Sequence, residues 1–265
     1  MTTNPQLKLN EDQSFVYSFT LGKTKILVEK QKVLLDIQKN FKTKGFRPGK
    51  VPLNIIEQQT ATDELIEELI SRLVSPLYAA QIKKDKLTPI VQPQIKFLNP
   101  PISLDKDWQF EISACQLPQI KLNKNYQSQI KNIKSKDDTD KMNQIVQTLI
   151  KASQVNFPQI LIDIDVQKQL SSLVNQTQQA GLSIDQYFQS QKTNLEDYKN
   201  RLSQQIKDQW ILNLALNKVA EDQKITVTKK DLKKTDPKNQ QQSKNPYALH
   251  HLILQQKTLD FLKKL

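Results

Sequence analysis

The chain has 265 residues, enough for about two domains, with 37% hydrophobic content and a formal net charge of +12 that calls for an acidic partner. A single cysteine, Cys115, excludes an intramolecular disulfide, and only two histidines and four glycines leave little material for a metal centre or a phosphate-binding loop. No apolar run approaches the ~18 residues of a membrane helix, and the start, Met1-Thr2-Thr3-Asn4-Pro5, lacks the basic-then-apolar pattern of a signal peptide, so the expectation is a cytoplasmic protein.

In chain order, residues 6–20 read as a strand pair. Leu7 and Leu9 alternate, and Phe15, Tyr17 and Phe19 alternate with Val16 and Ser18 around a turn at Asn10 to Ser14. Residues 23–41 carry a helical stripe of Ile26, Val33, Ile37 and Phe41. Then comes Gly45-Phe46-Arg47-Pro48-Gly49-Lys50-Val51-Pro52, preceded by Lys39, Lys42 and Lys44, with no acid between residues 39 and 50. Glycine reaches backbone angles that other residues avoid, and proline fixes its own φ and extends the residue before it. The stretch therefore predicts a stiff loop that holds Phe46, Arg47 and Lys50 outward. Recognition explains such a loop better than connection, the alternative being a tight helix–helix turn with incidental charge.

Beyond Pro52 the helical period returns with Leu53, Ile55 and Ile56. Thr62 is the expected N-cap of a long helix, with Asp63 and Glu64 in its first turn. Leu65, Leu69, Leu73 and Leu77 form its stripe, widened by Ile66, Ile70 and Val74, and Pro76 is expected to kink it. Glu64, Glu67 and Glu68 read as a solvated face, since no His, Cys or Ser constellation stands beside them. Residues 87–117 return to strands. Pro89, Pro93, Pro100 and Pro101 confine the first strand to an edge or to irregular structure, while Trp108, Phe110 and Ile112 alternate in the second, which ends on an expected buried Cys115. The order β-β-α-loop-α-β-β gives an α+β domain, an antiparallel sheet with two long helices.

Residues 119–137 are polar, basic and carry one aromatic, Tyr126, so they read as an extended or loosely ordered connector. Residues 138–265 read as helical throughout. Met142, Ile145, Val146, Leu149 and Ile150 start the pattern. Pro158 opens the next helix and Gly181 closes it, and a short helix follows around Ile184, Tyr187 and Phe188. Asn194 caps a long helix through Leu202, Ile206, Trp210 and Leu214, with Trp210 expected in the core. Thr228 caps a restart, residues 233–244 read as a flexible basic loop, and Leu249, Leu252, Ile253, Leu259 and Leu262 mark the last helix.

The pattern Gly-Phe-Arg-x-Gly-Lys-x-Pro between two helices resembles the ribosome-docking signature of trigger factor, the bacterial chaperone that meets nascent chains. Val155 through Asp163 is similar to the start of that family's carboxy-terminal domain, and Leu254 through Leu262 to its closing helix. The resemblance implies a ribosome-binding domain at residues 1–118, a connector at 119–137 in place of the prolyl-isomerase domain, and a helical substrate-binding domain at 138–265. An isomerase domain needs on the order of 100 residues, which residues 119–137 cannot supply. The resemblance implies an ATP-independent chaperone that docks at the tunnel exit of the large ribosomal subunit, on protein and ribosomal RNA, and shields nascent or unfolded polypeptides.

The ribosome-binding set it implies is Lys42, Lys44, Gly45, Phe46, Arg47, Pro48, Gly49, Lys50 and Pro52. Arg47 would pair with an acidic side chain, Phe46 would pack on the surface, and Lys50 would face phosphate. Many relatives carry lysine where this chain has Pro48. No catalytic residue, metal or cofactor is called for, the client-contacting residues stay unassigned, and a homodimer off the ribosome stays open. Residues 1–118 hold a net charge of only +3 against +9 for 119–265, which favours local docking by the loop over broad adhesion. The alternatives are a ribosome- or RNA-binding protein without chaperone activity, and a prolyl isomerase.

Overall fold

Two strands whose apolar residues alternate are the frame of the first half of the chain. A computed structural model describes residues 5–135, 137–228, 231–232 and 246–265. The chain divides into two units, Met1–Leu117 and Pro118–Leu265. In the first, β1 (Gln6–Leu9), β2 (Ser14–Leu21), β3 (Gln94–Phe97) and β4 (Trp108–Cys115) form an antiparallel sheet in the order β1-β2-β4-β3. The register pairs Phe15 with Ala114, Tyr17 with Ile112, Phe19 with Phe110 and Leu21 with Trp108. Period-two side chains therefore share one face across both strands. The helices α1 (Lys23–Gln38), α2 (Leu53–Gln59) and α3 (Thr62–Asp85) bury that face with Ile26, Val33, Ile56, Leu65, Leu69 and Leu73. Each such side chain contributes roughly 1.5–3 kcal/mol on leaving water. Cys115 is fully buried, which pushes its thiol up to about 11.

One cap differs from the sequence expectation. Ala61, not Thr62, is the N-cap of α3, and no side chain caps it; Thr62 is the first helical residue. Asp63 and Glu64 meet the positive end of the helix instead. The helix runs through Pro76 and ends on Lys86 at φ +54°. Arg72 of α3 reaches Asp36 of α1 at 2.7 Å and Glu68 at 2.6 Å, while Lys39 reaches Asp36 at 2.7 Å. This cluster ties the two long helices beside the loop between α1 and α2.

The second unit comprises β5 (Ile120–Leu122), α4 (Tyr126–Lys131), α5 (Asp138–Ala152), β6 (Ser153–Val155), α6 (Gln159–Gln179), α7 (Ile184–Ser190), α8 (Leu195–Asp222) and α9 (Pro246–Lys263). Two expectations are corrected here. Residues 119–137 are not a loose connector: they hold β5 and α4. Tyr126 and Ile130, 5% and 2% exposed, lie one helical turn apart and pack with Ile145, Leu149, Val219 and Leu262. Nor is the region after 137 helical throughout, because β6 pairs with β5 and matches Ile120 with Val155. Overall polarity hid both, since a few apolar residues at the right spacing are enough to seat a short element on a neighbouring core.

The 28-residue α8 serves two cores. Its later half carries Ala215, Leu216 and Val219 against α4, α5 and α9, and its earlier half packs Leu202 and Ile206 on Ile162 of α6. The ends follow local chemistry. Asn194 accepts the Asp197 N–H at 2.8 Å, and Ser183 and Gln186 close a capping box on α7. Gly181, at φ +74°, ends α6 while the Leu182 N–H donates to the Thr177 carbonyl and the Gly181 N–H to that of Gln178. That bond pair is a Schellman motif. The basic stretch at 233–244 lies outside the described residues.

Candidate functional site

All nine residues singled out by the sequence fall in the segment that joins α1 to α2. As α1 ends, the N–H groups of Asn40 and Phe41 both donate to the Ile37 carbonyl. Two turns follow. In Thr43–Phe46 the Phe46 N–H donates to the Thr43 carbonyl at 3.4 Å, with Gly45 in third place at φ +88°. In Arg47–Lys50 the Lys50 N–H donates to the Arg47 carbonyl at 3.0 Å, with Pro48 second and Gly49 third at φ +80°. A positive φ at the third position is what a type II turn requires, and proline, present in the second turn, is favoured at its second position. A Cβ on Gly45 or Gly49 would meet nothing within 4 Å. Glycine is there for its backbone angle, not for room.

The base of the loop is clamped by one residue. Gln38, the last of α1, accepts the Gly49 N–H on its main-chain carbonyl at 3.1 Å and donates its Nε2 to the Val51 carbonyl at 2.7 Å. Val51 is fully buried in the sheet–helix core, and Pro52 then caps α2. The tip is thus held from below by an apolar anchor and from the side by the end of a helix. Sequence reasoning missed both residues. Val51 had a signal, as an apolar residue set between Lys50 and Pro52, whereas Gln38 had none, since a polar residue at the end of a helix says nothing of its partners.

Phe46 is 41% exposed, and Lys42, Lys44, Arg47, Pro48, Lys50 and Pro52 are exposed around it. Among the described residues no acidic side chain pairs with Lys42, Lys44, Arg47 or Lys50, whereas nearby Lys39 is paired with Asp36. Those hydrogen bonds, from Lys39 first and Arg72 second, hold the Asp36 carboxyl down at about 2. The tip therefore offers four unneutralised cations and an open ring on a rigid base. Such a surface can form charge-assisted hydrogen bonds to carboxylate or phosphate while the ring packs on an apolar spot.

The second unit carries a groove of about 450 Å³ between α6, α7 and α8, lined by Leu170, Val174, Ile184, Phe188 and Leu195, with Lys199 at its edge. Trp210 packs on the core of Ile162, Leu202 and Ile206 and keeps part of its surface open. It is half-buried, donates its indole N–H to Asp165 at 2.8 Å and lines a cavity of about 380 Å³. Nε2 of His251 lies 3.3 Å from Nδ2 of Asn217. Among the described residues no helix is long and apolar enough to cross a membrane, and no cluster of His, Cys, Asp and Glu could hold a metal ion.

Comparison with known proteins bears on both units. A family model described as bacterial trigger factor protein matches residues 4–150, and one for the trigger factor C-terminus matches residues 120–265. The two matches overlap, so no stretch lies between them for a further domain. Trigger factor of Bdellovibrio bacteriovorus is 30% identical over 133 residues, half of this chain and 30% of that protein. Trigger factor of Finegoldia magna is 34% identical over 112 residues, 40% of this chain and 26% of that protein. The chain thus matches less than a third of the length of these curated relatives. A solved structure of the trigger factor chaperone, described for promiscuous substrate recognition in folding and assembly activities, covers 99% of both chains with a TM-score of 0.63. At 11% identity it shares the fold.

Proposed function

Because this chain belongs to the trigger factor family, we propose that it is an ATP-independent chaperone that docks on ribosomes and shields nascent or unfolded polypeptides. The observation that carries the reading is the loop itself: Phe46, Arg47 and Lys50 exposed and uncompensated on two turns clamped by Gln38. The proposed dock is the tunnel exit of the large subunit, in the cytoplasm. There Arg47 pairs with an acidic side chain, Phe46 packs on the protein surface, and Lys50 faces ribosomal RNA, with Lys42 and Lys44 adding to the field. Each charge-assisted contact supplies about 1–3 kcal/mol. Pro48 stiffens the second turn and forgoes a cation.

The second unit would hold clients. Its groove of Leu170, Val174, Ile184, Phe188 and Leu195 is open and shallow enough for apolar side chains of many sequences. Release needs no nucleotide, because a client that buries its own apolar residues no longer competes for the groove. The proposed division is a ribosome-binding domain at 1–118 and a substrate-binding domain at 138–265. Residues 119–137 stand where longer relatives carry an isomerase domain, and no catalytic step is assigned to the chain.

The test is co-sedimentation with ribosomes, wild type against Phe46→Ala/Arg47→Ala/Lys50→Ala. Wild type should pellet and the triple variant should stay in the supernatant; equal pelleting refutes the docking assignment. The net charge of +9 in residues 119–265 favours a second reading, an RNA-binding protein without chaperone activity. It predicts salt-sensitive binding to free RNA and no suppression of aggregation of a denatured model protein.

A further inference from the structure

We propose that α8 carries a second client site, a neutral trough that grips an extended polypeptide by its main chain; the inference rests on the chaperone reading above. Tyr198, Leu202, Gln205, Gln209 and Asn213 recur at steps of three and four residues, so they share one face of α8. They line two cavities of about 180 Å³ and 380 Å³ that have Leu202 and Gln205 in common. The two therefore run together along the helix. From Tyr198 to Asn213 the trough is about 22 Å long at the rise of an α-helix, room for roughly six or seven residues of extended chain. Tyr187 and Gln191 wall one end, and Asp165 and Gln169 of α6 wall the other.

The lining chemistry selects the occupant. The side-chain amides of Gln169, Gln191 and Gln205 make no hydrogen bond within the described residues, and each offers donors and an acceptor. Asn213 accepts on its oxygen from Gln209 at 3.1 Å and Gln255 at 3.0 Å, which leaves its own amide N–H groups free. The lining carries one charge of each sign: Asp165, which accepts from the Trp210 indole at 2.8 Å, and Arg201, which donates to the Thr193 hydroxyl at 2.8 Å. A surface with no net charge and a single cation, and with amides that both donate and accept, does not supply the run of cations a nucleic acid requires. It matches a peptide main chain, which presents one N–H and one C=O per residue whatever its sequence. An unfolded chain leaves roughly six or seven successive residues free to offer those groups, whereas folding pairs most of them, so main-chain recognition would favour unfolded clients over folded ones. The trough thus complements the apolar groove, which reads side chains.

The test uses the full chain and a fluorescein-labelled ten-residue peptide of Gly, Ala, Ser and Leu, with a second version methylated on alternate main-chain nitrogens. Fluorescence anisotropy should show wild type binding the methylated peptide about tenfold more weakly, as expected from loss of main-chain donors. Gln205→Ala/Gln209→Ala, exposed helical positions where alanine keeps the helix, should bind the parent peptide correspondingly weakly and no longer distinguish the two. Equal binding of both peptides by wild type, or undiminished discrimination by the double variant, overturns the trough. If wild type binds neither peptide, the trough fails; if it also fails to suppress aggregation, the chaperone reading fails with it. Should the double variant convert a dimer to a monomer in sedimentation while peptide discrimination persists, the trough belongs to a second copy of the chain and the proposal is wrong.

Discussion

Replacing Gly49 with alanine isolates the conformation of the proposed docking loop from its chemistry. The residue sits at φ +80°, and an added Cβ would touch nothing within 4 Å. No clash contributes, so the whole effect is the cost of a positive φ for an L-residue, roughly 1–2 kcal/mol. The turn can escape that cost by flipping, which also breaks the Gly49 N–H bond to Gln38. If only the present turn is binding-competent, its population falls by about 5- to 30-fold, and apparent ribosome affinity falls by the same factor. Asparagine tolerates this region better, so Gly49→Asn should lose distinctly less. Phe46, Arg47 and Lys50 are intact in both variants, and the melting temperature of the first unit should move by only a few degrees. The assay is a titration of fluorescently labelled protein with ribosomes. If Gly49→Ala binds within about twofold of wild type, the loop does not rely on a preformed type II turn and the reasoning fails.

Tyr126→Ala should cost about 3 kcal/mol of stability in urea unfolding, because the ring is buried in the core of the second unit; a near-zero cost would restore the loose-connector reading. Asp36 titrates at about 2 in the folded state against an ordinary 3.8, so its stabilisation is present above about pH 4 and is lost as pH falls toward 2. Thermal melts of Asp36→Asn should therefore lie below wild type at pH 6 and converge with it near pH 2, whereas parallel profiles would refute the link. Leu195→Ser should weaken suppression of aggregation with helicity by circular dichroism unchanged, since Leu195 lines the groove and is exposed. Unchanged suppression would remove that groove from client binding.

Local pattern alone determined much of this protein. Period-two alternation in β2 and β4, the four-residue leucine step in α3, the cap at Asn194 and the close at Gly181 are all local interactions, so the residues that cause them lie within a turn or two of each other. The loop between α1 and α2 was legible for the same reason: glycine, proline and a run of lysines act through their own φ angles and charges. What depends on distant partners was not legible. Tyr126 and Ile130 became core residues only because Ile145, Val219 and Leu262, far away in sequence, close over them. The pairing of β5 with β6 depends on a strand some thirty residues on. Gln38 is no different in sequence from Gln31 of the same helix until Gly49 and Val51 fold back against it. The sequence named the residues that face outward from the loop, and tertiary packing decided what holds them there.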